Sequence, residues 1–234
     1  MENYIDTLEK EPAVISAQRT LLKNVYCWMA LALVVTGLSS WYVANSEAAL
    51  RFVFSGKTFV ILLIAEFALV AIVSARINKM SFTTAGLLFV VYSILNGVTM
   101  SYIFIIYTAG SIASTFFITA GTFGAMALVG HFTKKDLSSI GQILFMALIG
   151  IIIASIVNIF MKSDMMGYII SYIGVAIFVG LTAYDSQKIK RQIIEHGTEI
   201  NDSTMKIALM GALSLYLDSI NLFLYILRIL GNRK

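Results

Sequence analysis

The sequence is poor in what a soluble domain uses to meet water. Only 13% of its 234 residues are charged, about half of the roughly 25% usual in soluble domains. So few charges cannot cover a water-facing surface, and soluble enzyme folds are excluded. Cysteine occurs once, at Cys27, which excludes an intrachain disulfide. In its apolar run Cys27 reads as a small buried hydrophobe. Two histidines, His131 and His196, with that one cysteine offer no cluster for a structural zinc. The single proline, Pro12, precedes the first long apolar run, so no span is kinked by proline. Glycine-rich phosphate loops and His-Glu-x-x-His are missing as well.

What the sequence has in abundance is apolar residues, 59% of the total. They gather in seven runs: Val25–Ala44, Thr58–Ala75, Ala85–Tyr107, Ile112–Gly130, Ile140–Met161, Gly167–Tyr184 and Ile207–Leu230. Their lengths lie between 18 and 24 residues, and about 20 suffice to cross the hydrocarbon core as a helix. The connecting loops hold 4 to 22 residues, too few for a soluble domain. The expected fold is an all-α membrane protein, a bundle of seven transmembrane helices. The chain divides into a tail over 1–24, one membrane domain over 25–230 and a short basic tail over 231–234. Residues 1–24 mix Asp6, Glu9 and Glu11 with Lys10, Arg19 and Lys23 and do not read as a cleavable signal. No two glycines are four apart, so close packing is expected at mixed small residues such as Ala120 and Gly124.

Lys and Arg set the expected orientation. With the N-terminus inside, the inner segments hold 11 of them and the outer loops 3, which favours a cytoplasmic N-terminus. Arg228, Arg233 and Lys234 crowd the C-terminus, which seven crossings would place outside, against that rule.

Ionisable groups inside a span are costly, at least ~2.5 kcal/mol on insertion scales, and so mark sites. Arg76 and Arg228 lie near run ends, where their heads can reach the interface. Glu66 lies mid-run and reads either as a satisfied structural hydrogen bond or as a functional carboxyl. Asp218 is twelve positions into the last run, too deep for a short side chain to reach water. Around it Gly211, Ser214, Asp218, Asn221, Tyr225 and Arg228 recur at spacings of 3 and 4. They share an arc of roughly 100° on a helix. Lipid cannot face such a stripe; it faces other helices or a water-filled cavity. Interhelical hydrogen bonding and the lining of an ion or proton path both fit, and the carboxylate favours the path. Asp185 abuts the sixth run in Ala-Tyr-Asp-Ser and on its own reads as an ordinary interfacial residue, and Asp218 stands in Leu-Tyr-Leu-Asp-Ser. Lys188, Lys190 and Arg191 are expected to continue the sixth helix to a stop at Gly197, with Asn201-Asp202-Ser203 capping the seventh.

The two aspartate motifs resemble the Bax inhibitor family, also called the transmembrane Bax inhibitor motif family. The resemblance runs through the seven spans, Lys134-Lys-Asp-Leu-Ser138, Leu181-Thr-Ala-Tyr-Asp185 and Leu215-Tyr-Leu-Asp-Ser-Ile-Asn-Leu-Phe223. The chain looks like a bacterial inner-membrane member. The resemblance implies a bundle with the C-terminal helix at its centre and a pH-sensitive calcium or other cation leak. Asp185 and Asp218 match the family's proton-sensing pair, with calcium near them. Arg76 matches an arginine that engages the pair, and Glu66 looks like a further acidic position. Asn221 and Ser214 support the path from the polar stripe. Some bacterial members restrain an ATP-dependent membrane protease, so a non-conducting modulator of such a protease or of membrane stress is the alternative. The bilayer itself is a partner; no cofactor and no nucleic acid are expected. No enzyme activity is expected either. The last run lacks the lysine a retinal protein needs, and Gly-x-Gly-Asp is missing at both aspartates.

Overall fold

A computed structural model describes residues 12–234; residues 1–11 of the expected tail lie outside the described residues. Nine α-helices follow one another among the described residues. They are α1 (Pro12–Ala44), α2 (Glu47–Phe54), α3 (Thr58–Arg76), α4 (Phe82–Met100), α5 (Ile103–Ile106), α6 (Ala109–Phe132), α7 (Ser138–Met161), α8 (Asp164–His196) and α9 (Asp202–Leu230). Among the described residues seven spans are long and apolar enough to cross a membrane: α1, α3, α4 with α5, α6, α7, α8 and α9. The protein is an all-α membrane bundle. Its outward side chains suit lipid, with Phe67 78% and Phe160 81% exposed.

Helix α1 is longer than its apolar run, and Pro12 is helical instead of lying ahead of the helix. The reason is a stripe of buried residues, Val14, Ala17, Leu21, Val25, Met29 and Ala32, at helical spacing. Arg19 and Lys23 fall on the exposed face between them. Cys27 falls off the same stripe and is exposed, not buried as its apolar setting suggested. Helix α8 likewise outruns its apolar segment and carries Lys188, Lys190 and Arg191 on to His196, with Gly197 just beyond. Its 33 residues make about 50 Å, against a hydrocarbon core of about 30 Å. The start of α9 is capped from both sides: Thr204 N donates to Asn201 Oδ1 at 3.0 Å, and Asn201 N donates to Thr204 Oγ1 at 3.0 Å.

The chain forms two compact units. The first comprises residues up to Ile105 with Ile189–Tyr216. Here α4 meets α1 at Gly97, where any side chain would run into the Thr36 carbonyl. The entry to α9 is clamped to the turn before α4. Phe82 N donates to Asp202 Oδ1 at 2.9 Å, while Lys206 Nζ donates to the Met80 carbonyl at 3.2 Å and pairs with Asp202 at 3.0 Å.

The second unit comprises Ile106–Lys188 with Leu217–Lys234. Helix α6 meets α8 at Gly130, where a side chain would collide with the Ala183 carbonyl. Gly121 and Gly124 face open space, so the close contact falls one to two turns later than the Ala120–Gly124 pairing expected. The basic C-terminal tail is paired, with Tyr107 and Arg233 forming an antiparallel bridge. Thr108 N donates to the Asn232 carbonyl at 3.1 Å, and Lys234 N to the Ile106 carbonyl at 2.9 Å.

Candidate functional site

Asp185 and Asp218 both lie in the second unit, 7% and 5% exposed. The residues around Asp185 are held on several sides. Ala183 backs onto Gly130, and Ser186 Oγ donates to the Ala127 carbonyl of α6 at 2.8 Å. Gln187 Oε1 accepts from Leu137 N at 2.9 Å, and its Nε2 donates to the Lys135 carbonyl at 2.8 Å, which fixes the Lys134–Lys135 loop. Asp185 therefore sits on a stretch of α8 tied to α6 and to the loop that follows α6. On α9, Tyr225 lies over Gly174 of α8, where an added Cβ would stand 2.7 Å from its ring. The Phe178 ring lies 5.9 Å from it. Arg228 is seated on bare α8 backbone at Gly167.

Asp218 Oδ2 is buried and accepts no hydrogen bond from any described residue. Asp185 is the charged group close enough for Asp218 to feel. A buried carboxylate oxygen without a donor is expensive, by several kcal/mol for an uncompensated ion. A second carboxylate nearby adds repulsion. Among the described residues no three His, Cys, Asp or Glu side chains converge as a metal site.

The other expected residues divide by unit. Asn221, in the second, is half-buried and donates Nδ2 to the Leu217 carbonyl of its own helix at 2.8 Å. Ser214 is half-buried in the first unit, and Arg76 is exposed in the last turn of α3. No residue of the stripe on α9 is exposed. Glu66 lies in the first unit, buried, and its partners are neutral: Thr99 Oγ1 at 2.6 Å and Asn96 Nδ2 at 3.3 Å. From Asn96 the contacts continue. Tyr216 OH donates to Asn96 Oδ1 at 3.1 Å, Thr36 Oγ1 lies 2.6 Å from Tyr216 OH, and Thr36 Oγ1 lies 3.0 Å from the Ser93 carbonyl. Four spans share this cluster. Its members beyond Glu66, and the supports Ser186 and Gln187, were not singled out from the sequence. A mid-span Asn96 one run after a mid-span Glu66 is the signal by which the Glu66 cluster could have been found.

The fold and the site define a multi-pass membrane protein whose last two spans each bury an aspartate. The chain belongs to the Bax inhibitor family: a family model described as "Inhibitor of apoptosis-promoting Bax1" matches residues 18–234. It is 51% identical over 217 residues to Inner membrane protein YbhL of Escherichia coli K12, covering 92% of this chain and 93% of that protein. It is 42% identical over 230 residues to a protein of Borreliella burgdorferi, covering 97% and 98%. RP147 of Rickettsia prowazekii is 40% identical over 230 residues, covering 98% and 97%.

Proposed function

We propose that the protein is a pH-sensitive cation leak of the inner membrane, gated by Asp185 and Asp218. One observation carries this reading: Asp218 buries a carboxyl oxygen that has no donor among the described residues, with Asp185 as the neighbouring charge. At lower pH a shared proton ties α8 to α9. At higher pH two carboxylates repel, the helices loosen, and the negative charge draws cations in. Calcium, a hard cation that prefers oxygen ligands, is the cargo the family resemblance suggests. The inner membrane follows from the name of the E. coli relative. A cytoplasmic N-terminus follows from the Lys and Arg distribution. Helix α9 is taken as the central helix, since 61% of its apolar window is buried, the largest share of the seven spans. No catalytic chemistry is assigned to the pair, which acts by charge and hydrogen bonding.

The test is calcium entry into proteoliposomes that enclose a calcium indicator, read across a pH series. The leak reading expects entry that rises with pH. Absence of entry at every pH refutes it and leaves a non-conducting modulator of a membrane protease or stress response as the better account.

A further inference from the structure

The cluster around Glu66 holds too few hydrogens for its contacts. Five contacts run from Glu66 to span α1: Thr99 to Glu66, Asn96 to Glu66, Tyr216 to Asn96, Thr36 to Tyr216, and Thr36 to the Ser93 carbonyl. With Glu66 ionised, Thr99, Tyr216 and Thr36 bring one hydrogen each, and of the two on Asn96 Nδ2 only one lies in these contacts, since Asn96 meets Tyr216 through Oδ1. Thr99 spends its hydrogen on Glu66 at 2.6 Å, the shorter of its two contacts, the other being the Asn96 carbonyl at 3.0 Å. Four hydrogens cannot fill five contacts. In the orientation drawn, Asn96 gives its NH2 to Glu66 and its oxygen to Tyr216. Tyr216 then uses its hydrogen on Asn96 and Thr36 uses its own on Tyr216. Thr36 Oγ1 and the Ser93 carbonyl are left facing each other with none between them. Both residues are buried, Thr36 at 3% and Ser93 at 0% exposure, where such a mismatch is not relieved by water.

One added proton removes the deficit if the Asn96 amide turns over. The two amide ends have nearly the same shape, so the turn needs no repacking. Glu66 then donates to Asn96 Oδ1, Asn96 Nδ2 to Tyr216, Tyr216 to Thr36, and Thr36 to the Ser93 carbonyl. Every contact is filled, and every bond in the chain points the same way. We infer that Glu66 is a proton-binding site whose occupancy sets the direction of a hydrogen-bond chain through Asn96, Tyr216 and Thr36. The site is separate from the aspartate pair and does not depend on the leak reading. Tyr92 on α4 and Tyr216 on α9 are titratable groups that feel the Glu66 charge. Thr99 and Asn96, both on α4, hydrogen-bond to Glu66.

The test is infrared difference spectroscopy of the full chain in bilayers, titrated with pH alone. The marker is the C=O stretch of a protonated carboxyl that vanishes in Glu66→Gln. It is read in the parent and in the Asp185→Asn, Asp218→Asn double variant, where the other two buried acids are gone. The expected result is a Glu66 band in both backgrounds that fades as pH rises. Thr36→Val and Tyr216→Phe each remove the extra bond that protonation completes. Each should narrow the pH range over which the band persists by roughly half to one unit. Thr36→Ser keeps the hydroxyl and should leave the range unchanged, which separates lost chemistry from lost packing. A Glu66 band missing at every pH, or present at every pH, overturns the site. An unchanged range in both Thr36→Val and Tyr216→Phe overturns the chain.

Discussion

Gly130→Ala is the sharpest perturbation of the frame that holds Asp185. The new methyl would meet the Ala183 carbonyl oxygen and carbon, which are backbone atoms and cannot swing aside. The α6 and α8 segments must separate locally. Overpacking of this kind costs about 1–3 kcal/mol. Separation also stretches the bond from Ser186 Oγ to the Ala127 carbonyl, 2.8 Å in the intact protein. Interhelical bonds in membranes average ~0.6 kcal/mol and reach ~1.7, so the total loss is about 2–4 kcal/mol. Gly124→Ala is the matched control on the same helix, because nothing lies within 4 Å of its added methyl. The assay is reversible unfolding in mixed detergent micelles, followed by helical circular dichroism. A Gly130→Ala protein within 0.5 kcal/mol of the Gly124→Ala protein would show that the crossing is looser than drawn. The case for a rigid seat under Asp185 would then fail.

Three further outcomes are expected. Asn201→Ala removes the cap that receives Thr204 N and should lower stability by about 1 kcal/mol, with Asn201→Ser recovering most of it, read by thermal unfolding in detergent. Single cysteines replacing Lys135 and Lys190, in a chain lacking Cys27, should react with an impermeant thiol reagent only after the membrane is opened; reaction in sealed cells would reverse the orientation. Arg76→Ala should move the pH at which cation entry rises, whereas an unchanged profile would reduce Arg76 to an interface anchor.

The spans were legible because hydropathy over about 20 residues is a strong signal. Their ends were not. A run of apolar letters ends at the first charges, so α1 was read from Val25, although the buried stripe begins at Val14. Helical spacing carries that information where plain hydropathy does not. The third run, Ala85–Tyr107, hides a break between α4 and α5. Ser101 there turns its hydroxyl back to the Val98 carbonyl at 2.7 Å, which hydropathy cannot register. Asp218 stood out because an aspartate deep inside a membrane span has few innocent explanations, whereas Asp185, at the inner end of its helix, stood out only through the resemblance of its motif to the family. Tyr216 did not, because it lies off the polar stripe of α9. That helix is buried on more than one face, and a tyrosine among leucines looks like packing until its hydroxyl is traced to Asn96 and Thr36. Asn221 shows the converse: it is on the stripe, yet its amide closes onto its own helix.

The central claim is that the two aspartates act as one proton-dependent gate, and calcium entry in the Asp185→Asn and Asp218→Asn proteins tests it most directly. Either substitution leaves a single carboxyl, which has no like-charged neighbour to repel and no proton to share across the helices. In proteoliposomes read across the same pH series as the parent, each variant should show entry that no longer rises with pH. Entry that keeps the parent's pH profile in both variants would contradict the gate.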